Sequence, residues 1–144
     1  MKQINELQNI INHAKHIVFF TGAGVSTDSG IPDFRSTDGL YNMKYDFPPE
    51  TIISHSFFMD NPEEFYRFYR DKMIYPDARP SITHHFIAKC EAKGISSGVI
   101  TQNIDGLHTS AGSENVIELH GSVLRNTCMK CGKKHSLSSI MTAD

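Results

Sequence analysis

Two polar clusters carry the groups able to do chemistry in this 144-residue chain. One, Thr101-Gln-Asn-Ile-Asp-Gly-Leu-His-Thr-Ser110, sets amide, carboxylate and imidazole groups directly behind the apolar run Gly98-Val-Ile100. The other, Thr21-Gly-Ala-Gly-Val-Ser-Thr-Asp-Ser-Gly-Ile-Pro-Asp-Phe-Arg-Ser36, follows the apolar segment His16-Ile-Val-Phe-Phe20. In open α/β sheets the ligand crevice lies outside the carboxyl ends of the strands, where both clusters would fall. Gly22-Ala-Gly24 lets the backbone approach a bound group, and Ser26, Thr27, Asp28 and Ser29 are suited to cap a helix whose amide end attracts phosphate. A phosphate-bearing ligand is the natural suggestion, although a Gly-Ala-Gly alone is as readily a plain tight turn.

A third group is Cys128-Met-Lys-Cys131. Three cysteines do not make a disulfide framework, and a reducing compartment favours metal binding or free thiols. Cys90 is expected to be a small buried apolar residue.

The elements that must position these groups follow from periodicity. Ile4, Leu7, Ile10, Ile11 and Ala14 recur at helical spacing, so 4–15 reads as an amphipathic helix leading into a strand at 16–20. Residues 30–49 lack a lasting period and read as a loop over the ligand. Asn61 as an N-cap residue, Pro62 at the first turn and the early acids Glu63 and Glu64 predict a helix over 62–73 with Phe65, Phe68 and Tyr69 on one packing face. The segment from Pro80 to Gly94 reads as a helix closed by Gly94, with Ile82, Phe86, Ile87 and Cys90 inward. It leads to a strand ending at Thr101, and 116–120 reads as a further short strand. From Leu124 onward the chain is polar and turn-rich.

One domain is the default at this length. With 14 Lys plus Arg against 16 Asp plus Glu, the formal charge of -2 argues against nucleic acid as a partner. No run approaches a membrane helix and no signal core precedes the first helix, so a cytoplasmic protein without a membrane partner is expected.

Taken together, Gly22-Ala-Gly-Val-Ser26, Gly30-Ile-Pro-Asp-Phe-Arg-Ser36, Thr101-Gln-Asn-Ile-Asp-Gly-Leu-His108, His120-Gly121 and Cys128-x-x-Cys131 resemble, in order and spacing, the sirtuins, NAD-dependent protein deacylases. The segments Phe57 to Arg67 and Arg79 to His84 are similar to the helical module of bacterial members. The resemblance implies a Rossmann-like parallel sheet with helices on both faces, a helical module at about 40–94, and a small zinc-binding module. It implies lysine deacetylation coupled to NAD cleavage, in which nicotinamide leaves and the acyl group passes to ADP-ribose, a transferase reaction on acylated lysine side chains.

Carried over by position, the resemblance puts Gly22, Ala23, Gly24 and Thr27 at the NAD pyrophosphate side, and Asp33, Phe34 and Arg35 in the loop over the cofactor. Gln102 would meet the nicotinamide-side ribose, and Asn103 would position the reacting ribose. Ile104 and Asp105 would take the nicotinamide ring, Asp105 accepting from its carboxamide. His120 would be the general base for a ribose hydroxyl. His84 falls where the family also has a histidine, but its setting between Ile82 and Phe86 favours packing or hydrogen bonding.

Cys128 and Cys131 would be metal ligands. A structural zinc site takes four, usually two such pairs about 15–20 residues apart. No cysteine lies between Gly132 and Asp144, and His135 is the only nearby nitrogen donor. The chain is therefore expected to be an amino-terminal piece: an incomplete NAD-binding domain over 1–123 and the first half of a zinc module over 124–144. Two alternatives stay open, an inactive fragment that binds NAD or a partner, and a protein ADP-ribosyltransferase.

Overall fold

The computed structural model describes residues 2–34, 39 and 45–143. Helix α1 (Lys2–His13) leads to strand β1 (Phe19–Thr21), and two 3-10 turns, Ala23–Val25 and Thr27–Ser29, follow. A helical stretch comes next: α2 (Pro49–Ile52), α3 (His55–Asp60), α4 (Pro62–Lys72) and α5 (Ile82–Ala92). Strand β2 (Val99–Thr101), helix α6 (Leu107–Ser110) and strand β3 (Val116–Glu118) complete the main unit. A hairpin of β4 (Asn126–Thr127) and β5 (Lys134–His135) precedes α7 (Leu137–Thr142).

Strands β1, β2 and β3 form a parallel sheet in that order, with Thr21, Thr101 and Glu118 in register. The fold is Rossmann-like: each parallel pair needs a crossover, and the one from β1 to β2 carries the helical stretch while the one from β2 to β3 carries α6. Side chains alternate across the sheet. Phe19, Thr21, Val99 and Thr101 share one face, which α5 and α6 cover through the Phe19–Phe86 ring contact and a Thr21–His108 hydrogen bond. On the other face Phe20 is 65% exposed and Ile117 58%. A separate apolar cluster, Ile52, Phe57 and Phe68, holds α2, α3 and α4 together.

Three expectations need correction. The segment after Gly22 is two 3-10 turns and no α-helix begins there, because the Ser26 hydroxyl bonds to Asp105 instead of capping and Gly30 turns left-handed at φ 83°. In α5, Ile87 and Cys90 are buried as expected, but Ile82 and Phe86 are exposed. The period identifies the apolar stripe without supplying a neighbour for each residue, and these two stand at the rim. Asn61 supplies no side-chain cap to α4. The apolar residues of α1, namely Ile4, Leu7, Ile10 and Ile11, are exposed as well. Helices α2, α3, α6 and α7 are short elements that the periodicity did not mark. In the 30–49 loop, 35–38 and 40–44 lie outside the described residues.

Candidate active site

Parallel strands bring their carboxyl ends to one edge, so the segments after Thr21, Thr101 and Glu118 meet there. They line a cleft of about 960 Å³. Of the residues singled out from sequence, Gly22, Ala23, Asp33, Phe34, Gln102, Asn103, Ile104, Asp105 and His120 line it. Gly24 and Thr27 stand outside the lining, the Thr27 hydroxyl donating to the Gly24 carbonyl at 3.0 Å. Arg35 lies outside the described residues. Phe65 and Tyr69, expected only to pack, stack on each other and also line the cleft.

The segment after β2 is fixed by its own hydrogen bonds. Thr101 Oγ1 accepts from the Asn103 backbone N–H at 3.0 Å, and Asp105 Oδ1 accepts from Leu107 N–H at 2.9 Å. Gly106 then turns left-handed at φ 73° with its α-carbon against Leu124, where an added Cβ would stand 2.6 Å from Leu124 Cδ1. His120 follows β3 on an exposed turn, anchored where Leu119 N–H donates to the Thr101 carbonyl and where Arg125 pairs with Glu118.

Ser26, Asn103 and Asp105 of the cleft lining join the buried His84 and His108 in a polar network that spacing alone did not reveal. Ser26, only 1% exposed, donates to Asp105 Oδ2 at 2.7 Å and accepts from Asn103 Nδ2 at 3.0 Å. His84 Nε2 stands 3.5 Å from the same hydroxyl oxygen. The Thr21 hydroxyl bonds His108 Nε2 at 2.9 Å, and the His108 and His84 rings lie 4.7 Å apart between centroids. Burial first, then the neighbouring His84, pushes the His108 pKa down to about 4, against a smaller opposing pull from Asp105. Burial likewise lowers that of His84. Both rings are thus neutral at physiological pH. The signal for Ser26, His84 and His108 was present only as their places within recognised motifs.

Cys128 and Cys131 sit in the β4–β5 hairpin, apart from the cleft lining. Cys128 N–H donates to the Lys133 carbonyl and Gly132 N–H to the Cys128 carbonyl, while backbone N–H groups of Cys131 and Lys130 face the Cys128 sulfur and lower its pKa. Among the described residues no three His, Cys, Asp or Glu side chains converge as a metal site, so His135 does not extend the pair to a set of three donors. These residues do not fit a complete zinc site.

Comparison with known proteins finds relatives of one family. A family model described as Sir2 family matches residues 22–143. An NAD-dependent protein deacetylase of Clostridium acetobutylicum is 51% identical over 146 residues, covering 100% of this chain and 60% of the relative. One from Clostridium perfringens is 57% identical over 131 residues, covering 90% of this chain and 54% of its own. Among solved structures, a Sir2 variant with a deacetylated p53 peptide and 3'-O-acetyl ADP ribose superposes with a TM-score of 0.86 at 44% identity, over 94% of this chain and 54% of that one. A Sir2 protein bound to a propionylated peptide gives 0.80 at 42% identity, over 95% and 53%. The chain spans a little over half the length of the curated relatives it matches.

Proposed function

The chain belongs to the Sir2 family, and from that premise we propose that its cleft is the site of NAD-dependent deacetylation of protein lysine side chains. The observation that carries the reading is the convergence of Asn103, Asp105 and His120, from the ends of adjacent parallel strands, on one cleft with the Gly22-Ala23 turn. Its volume lies within the range of ligand pockets. Relatives bear the name NAD-dependent protein deacetylase, and solved neighbours hold deacetylated or propionylated peptides.

In this reading NAD is a co-substrate. Gly22 and Ala23 approach its pyrophosphate, Gln102 and Asn103 its nicotinamide-side ribose, and Ile104 with Asp105 takes the nicotinamide. Asp33 and Phe34 belong to the loop over it, with Gly24 and Thr27 supporting the turn, while Arg35 is carried over by its sequence position alone, outside the described residues. The acyl oxygen of the substrate lysine displaces nicotinamide at the ribose carbon. His120 would then accept a proton from a neighbouring ribose hydroxyl, whose oxygen bonds to the acyl carbon; the lysine amine would leave with a proton and a water would add in its place, giving free lysine and O-acyl-ADP-ribose.

The reading extends to organisation. Residues 1–123 form the NAD-binding unit with its helical module at about 40–94, and 124–144 hold one half of a zinc module. Cys128 and Cys131 would there supply two of the four ligands, with structural and no catalytic duty. An acylated peptide as partner and a cytoplasmic setting complete the proposal. Among the described residues no helix is long and apolar enough to cross a membrane.

The test is nicotinamide release from NAD by this chain with an acetyl-lysine peptide, beside His120→Ala. Release that needs both peptide and His120 supports deacetylation, and release that survives His120→Ala rejects it. Label transfer from NAD to protein without acylated peptide would point to ADP-ribosyl transfer. Binding of NAD without turnover would leave a protein that binds NAD without deacetylating lysine.

A further inference from the structure

Charge is unevenly placed along this chain. Residues 1–118 hold 15 acidic residues against 10 basic ones, whereas 119–143 hold Arg125, Lys130, Lys133 and Lys134 and no acidic residue. Arg125 is paired with Glu118. The three lysines are exposed, and none of them forms an ion pair among the described residues.

The β4–β5 hairpin gathers these lysines. Cys128 N–H donates to the Lys133 carbonyl at 2.8 Å and Gly132 N–H to the Cys128 carbonyl at 2.9 Å, so the chain folds back on itself and the three share one tip. Like charges held together raise the local potential, and the hairpin supplies no counter-charge of its own. The tip also stands beside the site: the chain leaves the cleft lining at Leu124 and rejoins it at Leu137, with the hairpin between. Met129, 68% exposed on the same turn, adds an adaptable apolar contact. A long polyanion laid on the tip would run on over the acidic remainder of the molecule and be repelled there. A short acidic stretch of polypeptide meets the tip alone.

We propose that the hairpin tip of Lys130, Lys133 and Lys134 is a docking surface for acidic segments of protein substrates, holding Asp and Glu residues that flank the acylated lysine outside the cleft. Exposed charges at a rim act chiefly on encounter and partner choice. The consequence for substrate choice rests on the proposed deacetylation at the cleft, whereas the surface rests on the hairpin alone.

The experiment measures fluorescence anisotropy of three acetyl-lysine peptides of one length, with Asp/Glu, Ser/Gln or Lys/Arg flanks. It uses the wild-type chain and Lys130→Gln/Lys133→Gln/Lys134→Gln, which leaves both cysteines in place. Wild type should bind the acidic peptide about ten-fold more tightly than the neutral one, the combined effect of a few exposed ion pairs, and the basic one most weakly. The preference should vanish in the triple variant and fade at high salt. Equal affinities, or a preference that the variant keeps, overturn the proposal. On the wild-type chain alone, the acidic peptide without its acetyl group should still shift the backbone amide NMR signals of 128–135, and unmoved signals there overturn it. A single-stranded oligonucleotide that binds the tip more tightly than the acidic peptide overturns the choice of partner. Docking of the acidic peptide by a chain that neither binds NAD nor deacetylates would reject the cleft reading and keep the surface. Deacetylation indifferent to the flanks would do the reverse.

Discussion

Ser26 serves three partners with one hydroxyl, so its removal strands Asn103, His84 and Asp105 at once. Ser26→Ala should lower stability by about 1–3 kcal/mol, the penalty of leaving buried polar groups unsatisfied, read from the urea midpoint. His108 adds a pH dependence. Its folded pKa of about 4 lies below the ordinary 6.5 that the unfolded chain recovers, so the unfolded state binds the proton more readily. Stability is therefore full above about 6.5 and lost as pH falls toward about 4, by roughly 3 kcal/mol in total. Urea midpoints across that window should fall for wild type and fall less for His108→Gln; equal slopes would exclude His108 as the source. At this scale Asn103, Asp105 and His120 were legible because they stand in contiguous motifs behind apolar runs. The duties of Ser26, His84 and His108 at the cleft were not, since the hydrogen bonds that join them to one another and to β1 and β2 reach across 58 to 87 residues and local spacing holds no trace of such pairings.

Glycines at the strand ends tie the elements to the site. Gly98 precedes β2 at φ 138°, and a Cβ there would stand 2.5 Å from the Asn115 carbonyl oxygen, which belongs to backbone and cannot swing aside. At Gly106 the obstacle is a side-chain methyl. Gly98→Ala should thus cost more than Gly106→Ala, at least about 1–3 kcal/mol, by thermal unfolding; near-neutral effects at both positions would refute the close approaches. Strand β2 was legible because Gly98-Val-Ile100 is an apolar run bounded by a glycine and a polar cluster, and α5 because Gly94 closes it, at φ 69°. The short helices escaped notice, as four to six residues cannot show a 3.6-residue period. The paired turns after β1 escaped for another reason. Four good capping residues in a row predict a helix, and the tertiary demand of Asp105 on Ser26, with the left-handed turn at Gly30, removes it.

For the whole molecule, the sheet is covered on one face and open on the other, where Phe20 and Ile117 stand with Val18 and Leu119 nearby, and α1 leaves its own stripe uncovered. Open apolar faces and unpaired strand edges favour association. Sedimentation should find this chain self-associating, and Phe20→Lys with Ile117→Lys should shift it toward monomer; no change would exclude this face as the contact. Sequence made each apolar stripe legible but not which stripes stay bare, because burial depends on neighbours that no stripe specifies by itself. The cleft's hydrogen bonds have a further consequence. Thr21 to His108 spans 87 residues, Ser26 to Asp105 spans 79 and Asn103 to Ser26 spans 77, with the helical stretch between. Closing such long loops is entropically uphill until the intervening chain has folded, and folding rate falls as contacts become less local. Assembly of the cleft is thus a late kinetic event: refolding chains acquire helical signal first, and competence to bind a ligand only when the first strand finds the second.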